Sequence, residues 1–168
     1  MTEERDEQTM TAAEPATVRP LTAYDTVIAY LHSYSMNTDT KRAVYKQLQT
    51  EVADENLSYM KRRLGDYEKL EAGWDGYGDA IPVKKETIDF MRAFLKVCRP
   101  ADVSEWRLFP NVNGTLTLEQ DDAAISIASK EFSYYAENGD KYMESEHNAC
   151  SVFALTDTIR KINSFMQE

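Results

Sequence analysis

The residues best suited to chemistry fall in one short stretch, Gly73-Trp74-Asp75-Gly76-Tyr77-Gly78-Asp79. Two nearby carboxylates could share a proton or a cation, and interleaved glycines let a backbone turn sharply or approach a ligand closely. Asp75, Asp79 and Glu86 occupy positions 1, 5 and 12 of a calcium-loop count. The count then fails, because Tyr77 stands where a third oxygen ligand belongs, Ala80 replaces the turn glycine, and Pro82 interrupts the loop. The glycine pattern is no phosphate cradle either, since no Lys-Ser or Lys-Thr follows and the carboxylates would repel phosphate. A simpler reading is that Asp75 accepts N–H bonds in its own turn while Trp74 and Tyr77 pack onto a core. We therefore expect the loop to be structural, with no metal and no cofactor. The alternative is a small hydrolase or ligand-binding protein that uses Asp75 and Asp79.

The other constellations are weaker. His147 lies three residues before Cys150, and Glu144 and Glu146 precede it. Nothing in the sequence lowers the thiol pKa, and strand alternation would turn His147 away from both glutamates. Cys98 and Cys150 show no C-x-x-C spacing, which fits reduced thiols in a cytoplasmic protein. Lys61-Arg62-Arg63 reads as a solvated helix face paired with Asp66 and Glu68.

These residues must be held by a chain of 168 residues, long enough for one self-supporting core. Acidic residues outnumber basic ones 29 to 19, for a formal charge of −10. The first twenty residues carry −3 of that and almost no large apolar group, leaving −7 on the remainder. Nucleic acid is thereby disfavoured as a direct partner, and a basic protein surface is favoured. Residues 1–20 read as a disordered acidic leader and 21–168 as a single α+β domain. No apolar run is long enough to cross a membrane, and no secretory h-region is expected near the start.

Helical spacing places Leu21, Tyr24, Ile28 and Leu31 on a first helix. Val44, Tyr45, Leu48 and Val52 form a second face, and Leu57, Met60, Leu64 and Tyr67 a third. Asp54 is a possible cap between those two, so 40–72 is one helix or two, and Gly73 is its stop. Pro82 is expected to open the next helix, with Ile88, Met91, Leu95 and Cys98 inward. From Val103 the period falls to two, which marks strands. A three-residue loop with Gly114 left-handed pairs Leu108 with Leu118 and puts the apolar side chains on one face. A two-residue Asn138-Gly139 turn would pair Tyr134 with Met143 and Tyr135 with Tyr142. A last helix runs from about Ser151 to Met166. The sum is an antiparallel meander of four or five strands, packed on one face by about four helices in two layers.

The glycine loop also carries a resemblance. Leu64, Tyr67 and Leu70 leading into Gly-Trp-Asp-Gly-Tyr-Gly, followed by a proline and a helix bearing Phe94-Leu95, resemble a family of small bacterial and phage or plasmid proteins with a Gly-Trp-Asp-Gly-Tyr-Gly-Ala signature. The match runs from about 57 to 137, with Pro110–Glu119 corresponding to the family's hairpin. Asp79 stands where that family usually has Ala, and the proline is shifted. The resemblance implies a fold unit and no catalytic residue. If helices cover Phe132, Tyr134 and Met143, then Tyr135 and Tyr142 stand exposed beside Glu137, Asp140 and Glu144. Exposed tyrosines ringed by carboxylates suit protein contact. The function expected is a non-enzymatic acidic interaction module, of the inhibitor, antitoxin, immunity or counter-defence kind.

Overall fold

Asn37 starts the first described helix of the computed structural model, in which residues 37–168 are described. Its side-chain oxygen accepts the backbone N–H groups of Asp39 (2.7 Å) and Thr40 (3.2 Å), which the first turn of a helix leaves without partners. The chain divides into two units, Met1–Lys41 and Arg42–Glu168. The expected leader at 1–20 and helix at 21–31 lie outside the described residues.

Helix α1 runs unbroken over Thr38–Tyr67, so Asp54 caps nothing and the two apolar faces share one helix. Ala53, Leu57, Met60, Leu64 and Tyr67 are buried, while Val44, Tyr45 and Leu48 are only half-buried and Val52 is exposed. The helix ends at Tyr67, ahead of Gly73. Its last turn is pinned there by the Tyr67 hydroxyl, which donates to the Leu108 carbonyl (2.8 Å) inside the core. Helix α2 is Lys85–Val97 and starts three residues after Pro82, where the carbonyl of extended Lys84 accepts the first helical N–H bonds, from Thr87 (3.0 Å) and Ile88 (3.1 Å). A 3-10 turn at Pro100–Asp102 leads into strands β1 (Arg107–Pro110), β2 (Leu116–Gln120), β3 (Ala123–Ile127), β4 (Glu131–Asn138) and β5 (Lys141–Ala149). Helix α3, Val152–Met166, begins where Ser151 Oγ accepts from Ala154 N (3.0 Å).

The strands form one antiparallel sheet in chain order, as a meander requires. The fold is α+β, with helices packed on the sheet. Leu108 pairs with Leu118 and Gly114 has φ +78°, the register and turn expected of the first hairpin. Met60 from α1, Phe94 and Met91 from α2, Ile159 and Ile162 from α3, and Leu118, Ile125 and Phe132 from the sheet share one core. Burying each such side chain contributes about 1.5–3 kcal/mol.

Polar groups fix how the connections lie on that core. Asn56 donates to the carbonyls of Val103 (2.7 Å), Ser104 (3.2 Å) and Trp106 (2.9 Å), so one side chain holds the approach to β1. Asp102 is buried and accepts from Arg99 and from Arg160 of α3, both within 3.1 Å. Burial pushes its carboxyl pKa up, but hydrogen bonds from the two guanidinium groups outweigh that and leave it below the ordinary value. No helix among the described residues is long and apolar enough to cross a membrane.

Candidate functional site

The glycine loop is held by its own backbone. Gly73, Gly76 and Gly78 all have positive φ, which side-chain-bearing residues rarely adopt. Gly73 N–H donates to the Ala80 carbonyl (2.7 Å) and Gly76 N–H to the Gly73 carbonyl (2.9 Å). Asp75 Oδ1 accepts from Tyr77 N (3.1 Å), so this carboxylate closes an Asx turn inside the loop. Trp74 is half-buried and its Nε1 donates to the Ile81 carbonyl (3.2 Å). Tyr77 departs from expectation: its ring is 89% exposed rather than packed, because Gly76 and Gly78 on either side turn it outward. Asp79 is exposed as well.

Beyond the loop, the chain is fastened to the tip of the first hairpin. Ile81 N donates to the Val112 carbonyl (2.8 Å) and Lys84 N to the Gly114 carbonyl (3.2 Å). A Cβ on Gly114 would lie 2.8 Å from the Pro82 oxygen, so only glycine admits this contact. The loop joins two helices and clips them to the sheet.

The β4–β5 hairpin makes the more open surface. Its turn is Gly139-Asp140, not Asn138-Gly139: Asn138 pairs with Lys141, Glu137 with Tyr142 and Tyr135 with Glu144. Two causes are visible. Gly139, with φ +62°, takes the first loop position, where positive φ is needed. Asn138 is also held in the strand, its Nδ2 donating to the Phe165 carbonyl of α3 (2.9 Å). Each partner moves by two residues, which preserves the side of the sheet. Tyr135, Tyr142, Glu137 and Glu144 therefore still share one face, but as a checkerboard in which each tyrosine stands opposite a glutamate. Asp140 sits in the turn, away from the paired positions.

On this face Tyr135 is 43% and Tyr142 66% exposed. The Tyr135 hydroxyl donates to Glu137 Oε2 (2.6 Å). That bond, a little burial and the charges of Glu137, Glu144 and Asp122 all raise the phenol pKa above its ordinary value. The face continues beyond the residues singled out in the sequence. The registers align Arg107, Glu119, Ala124, Tyr135 and Glu144 in one row, and Phe109, Thr117, Ser126 and Ser133 in the next. Thr117, Ala124, Ser126 and Ser133 keep its middle small, while Phe109 stands on β1 and Tyr135 and Tyr142 on β4 and β5. Alternation within each of Arg107–Pro110, Leu116–Gln120 and Ala123–Ile127 carries this extension in the sequence.

At the far end of β5 a bulge sets Glu146 and His147 together opposite Ser133, and His147 has φ +57°. His147 Nδ1 lies 2.9 Å from Glu131 Oε2, and that bond raises the imidazole pKa. Burial raises the Cys150 thiol pKa, and its Sγ donates to the Ala128 carbonyl (3.5 Å). Neither group is activated as a nucleophile needs. Burial likewise pushes the Cys98 thiol up to about 11. In the Lys61–Arg63 cluster, Arg63 pairs with Asp66 (3.5 Å) as expected, but Glu68 pairs with Arg92 of α2 (2.6 Å) instead. Comparison with family models, curated proteins and solved structures returned no match to this chain.

Proposed function

We propose that the protein is a non-enzymatic acidic interaction module that binds a basic partner protein in the cytoplasm through the open face of its sheet. The observation that carries this reading is the checkerboard of Tyr135, Glu137, Tyr142 and Glu144, exposed on strands whose other side is anchored in the core. Tyrosine offers a large contact area at low entropic cost, and the alternating carboxylates select lysine or arginine over other side chains. A second copy of the chain is a poor occupant, because Glu119, Glu137, Glu144 and Glu146 would meet their own like charges. By covering a basic surface the module would block it, as inhibitors, antitoxins, immunity proteins and counter-defence proteins do. The loop's resemblance to small proteins of bacteria, phages and plasmids belongs to the same proposal. The hydrolase alternative loses ground, since Asp75 is engaged by Tyr77 N.

The test is quantitative cross-linking and capture at low salt with the wild-type protein and with Tyr142→Ala/Glu144→Lys. Basic proteins enriched by the wild type and lost by the variant, with circular dichroism unchanged, are the expected result. Equal capture by both proteins, or capture of nothing, would overturn the reading.

A further inference from the structure

A second surface has the opposite charge. Lys61, Leu64 and Gly65 of α1 and Arg92, Leu95 and Lys96 of α2 line an open groove of about 390 Å³. Its floor is bare backbone at Gly65 beside the buried Leu64 and Leu95, and Lys61, Arg92 and Lys96 make its rim cationic. Arg92 spans one end, tied to Glu68 (2.6 Å) and Asp89 (2.9 Å). Among the described residues Lys61 and Lys96 form no ion pair, although the chain has many more acids than bases.

Gly65 is the unexplained residue. Glycine is a poor choice inside a helix, where it weakens the structure relative to alanine. Here no turn requires it, and a Cβ at this position would meet nothing within 4 Å. Packing within the fold therefore gives no reason for its presence. What the missing side chain does is leave room over the groove floor.

We propose that this groove docks an acidic amphipathic helix of a partner protein, with a large apolar side chain seated over Gly65 and its flanking carboxylates on Lys61 and Lys96. The helix-in-groove mode needs an apolar trough with a charged rim, and the rim charge selects the sign of the ligand. A nucleic-acid backbone would gain the lysines but leave the apolar floor unused, and the rest of this acidic chain would repel it. An acyl chain would leave the ammonium groups of Lys61 and Lys96 without a counter-charge.

The probe is a fluorescein-labelled helical peptide of about fifteen residues, with a central phenylalanine and glutamates one turn to either side. Fluorescence anisotropy at low salt should show it binding the full-length protein, and binding at least about tenfold more weakly to Gly65→Leu. Gly65→Leu should keep or raise the melting temperature. Lys61→Glu/Lys96→Glu should lose the glutamate peptide and gain its lysine counterpart, which keeps the test decisive if Gly65→Leu folds poorly. Tyr142→Ala should leave peptide binding unchanged, separating this site from the sheet face. Undiminished binding to the Gly65→Leu and charge-reversed proteins, equal affinity for the lysine peptide, no binding at all, or displacement by an equal concentration of single-stranded oligonucleotide would each overturn the proposal.

Discussion

The Gly73–Asp79 loop and the β4–β5 face both combine tyrosine, glycine and carboxylate, yet they use them in opposite ways. In the loop, three left-handed glycines and the Asp75–Tyr77 turn commit the polar groups to one another and leave Tyr77 as an isolated exposed ring. On the hairpin, a single glycine makes the turn, and around Tyr135, Glu137, Tyr142 and Glu144 the strands are joined by the backbone ladder. Tyr142 and Glu144 then stand exposed, beside Tyr135 and Glu137, which bond each other. Unusual composition marks the place where the chain has a hard local shape to make. An ordinary-looking strand pair leaves an open face, because its ladder is closed mainly by backbone groups.

The largest break in this comparison comes from Gly114→Ala. If the loop and hairpin tip form a clip, forcing a Cβ to 2.8 Å from the Pro82 oxygen at φ +78° should cost about 2–4 kcal/mol, read as a fall in urea midpoint. A near-neutral result would mean that the clip does not hold the helices to the sheet.

A smaller effect tests a carboxylate that the fold itself uses. Asp102→Asn should cost about 1–3 kcal/mol, less than in a dry pair, because Arg99 and Arg160 remain 66% and 48% exposed. The Asp102 pKa is depressed in the folded state, so its stabilisation is present above the unfolded value, near pH 4, and is lost as pH falls through the folded one. The wild type should therefore show a stability loss below about pH 4 that the variant partly lacks, measured by denaturant titration at several pH values.

The smallest effect on stability belongs to the hairpin face. Tyr142→Ala should change unfolding free energy by less than about 0.5 kcal/mol, since the ring is mostly exposed. A loss well above 1 kcal/mol would make Tyr142 a packing residue and dissolve the contrast with the loop.

Much of the fold was legible in the residues. The change of apolar period near Val103 located the sheet, and Gly114 with its flanking leucines set the first register, because only one pairing keeps Leu108 and Leu118 on the same side. The helical spacing of Val152, Leu155, Ile159 and Ile162 located α3. The second hairpin was less determinate: Asn138-Gly139 and Gly139-Asp140 are both acceptable turns. The bond from Asn138 to the Phe165 carbonyl, made across the sequence, chose between them.

The sequence by itself determined the acidic charge, the switch from helix to strand and the side of the sheet on which Tyr135 and Tyr142 fall, since all three follow from local composition and period. Only the tertiary structure decided that each tyrosine faces a glutamate, that Asp102 is held by an arginine of α3, and that Lys61 and Lys96 share a groove over Gly65. Those contacts join residues far apart in the chain, and no local pattern encodes which distant partner will close them.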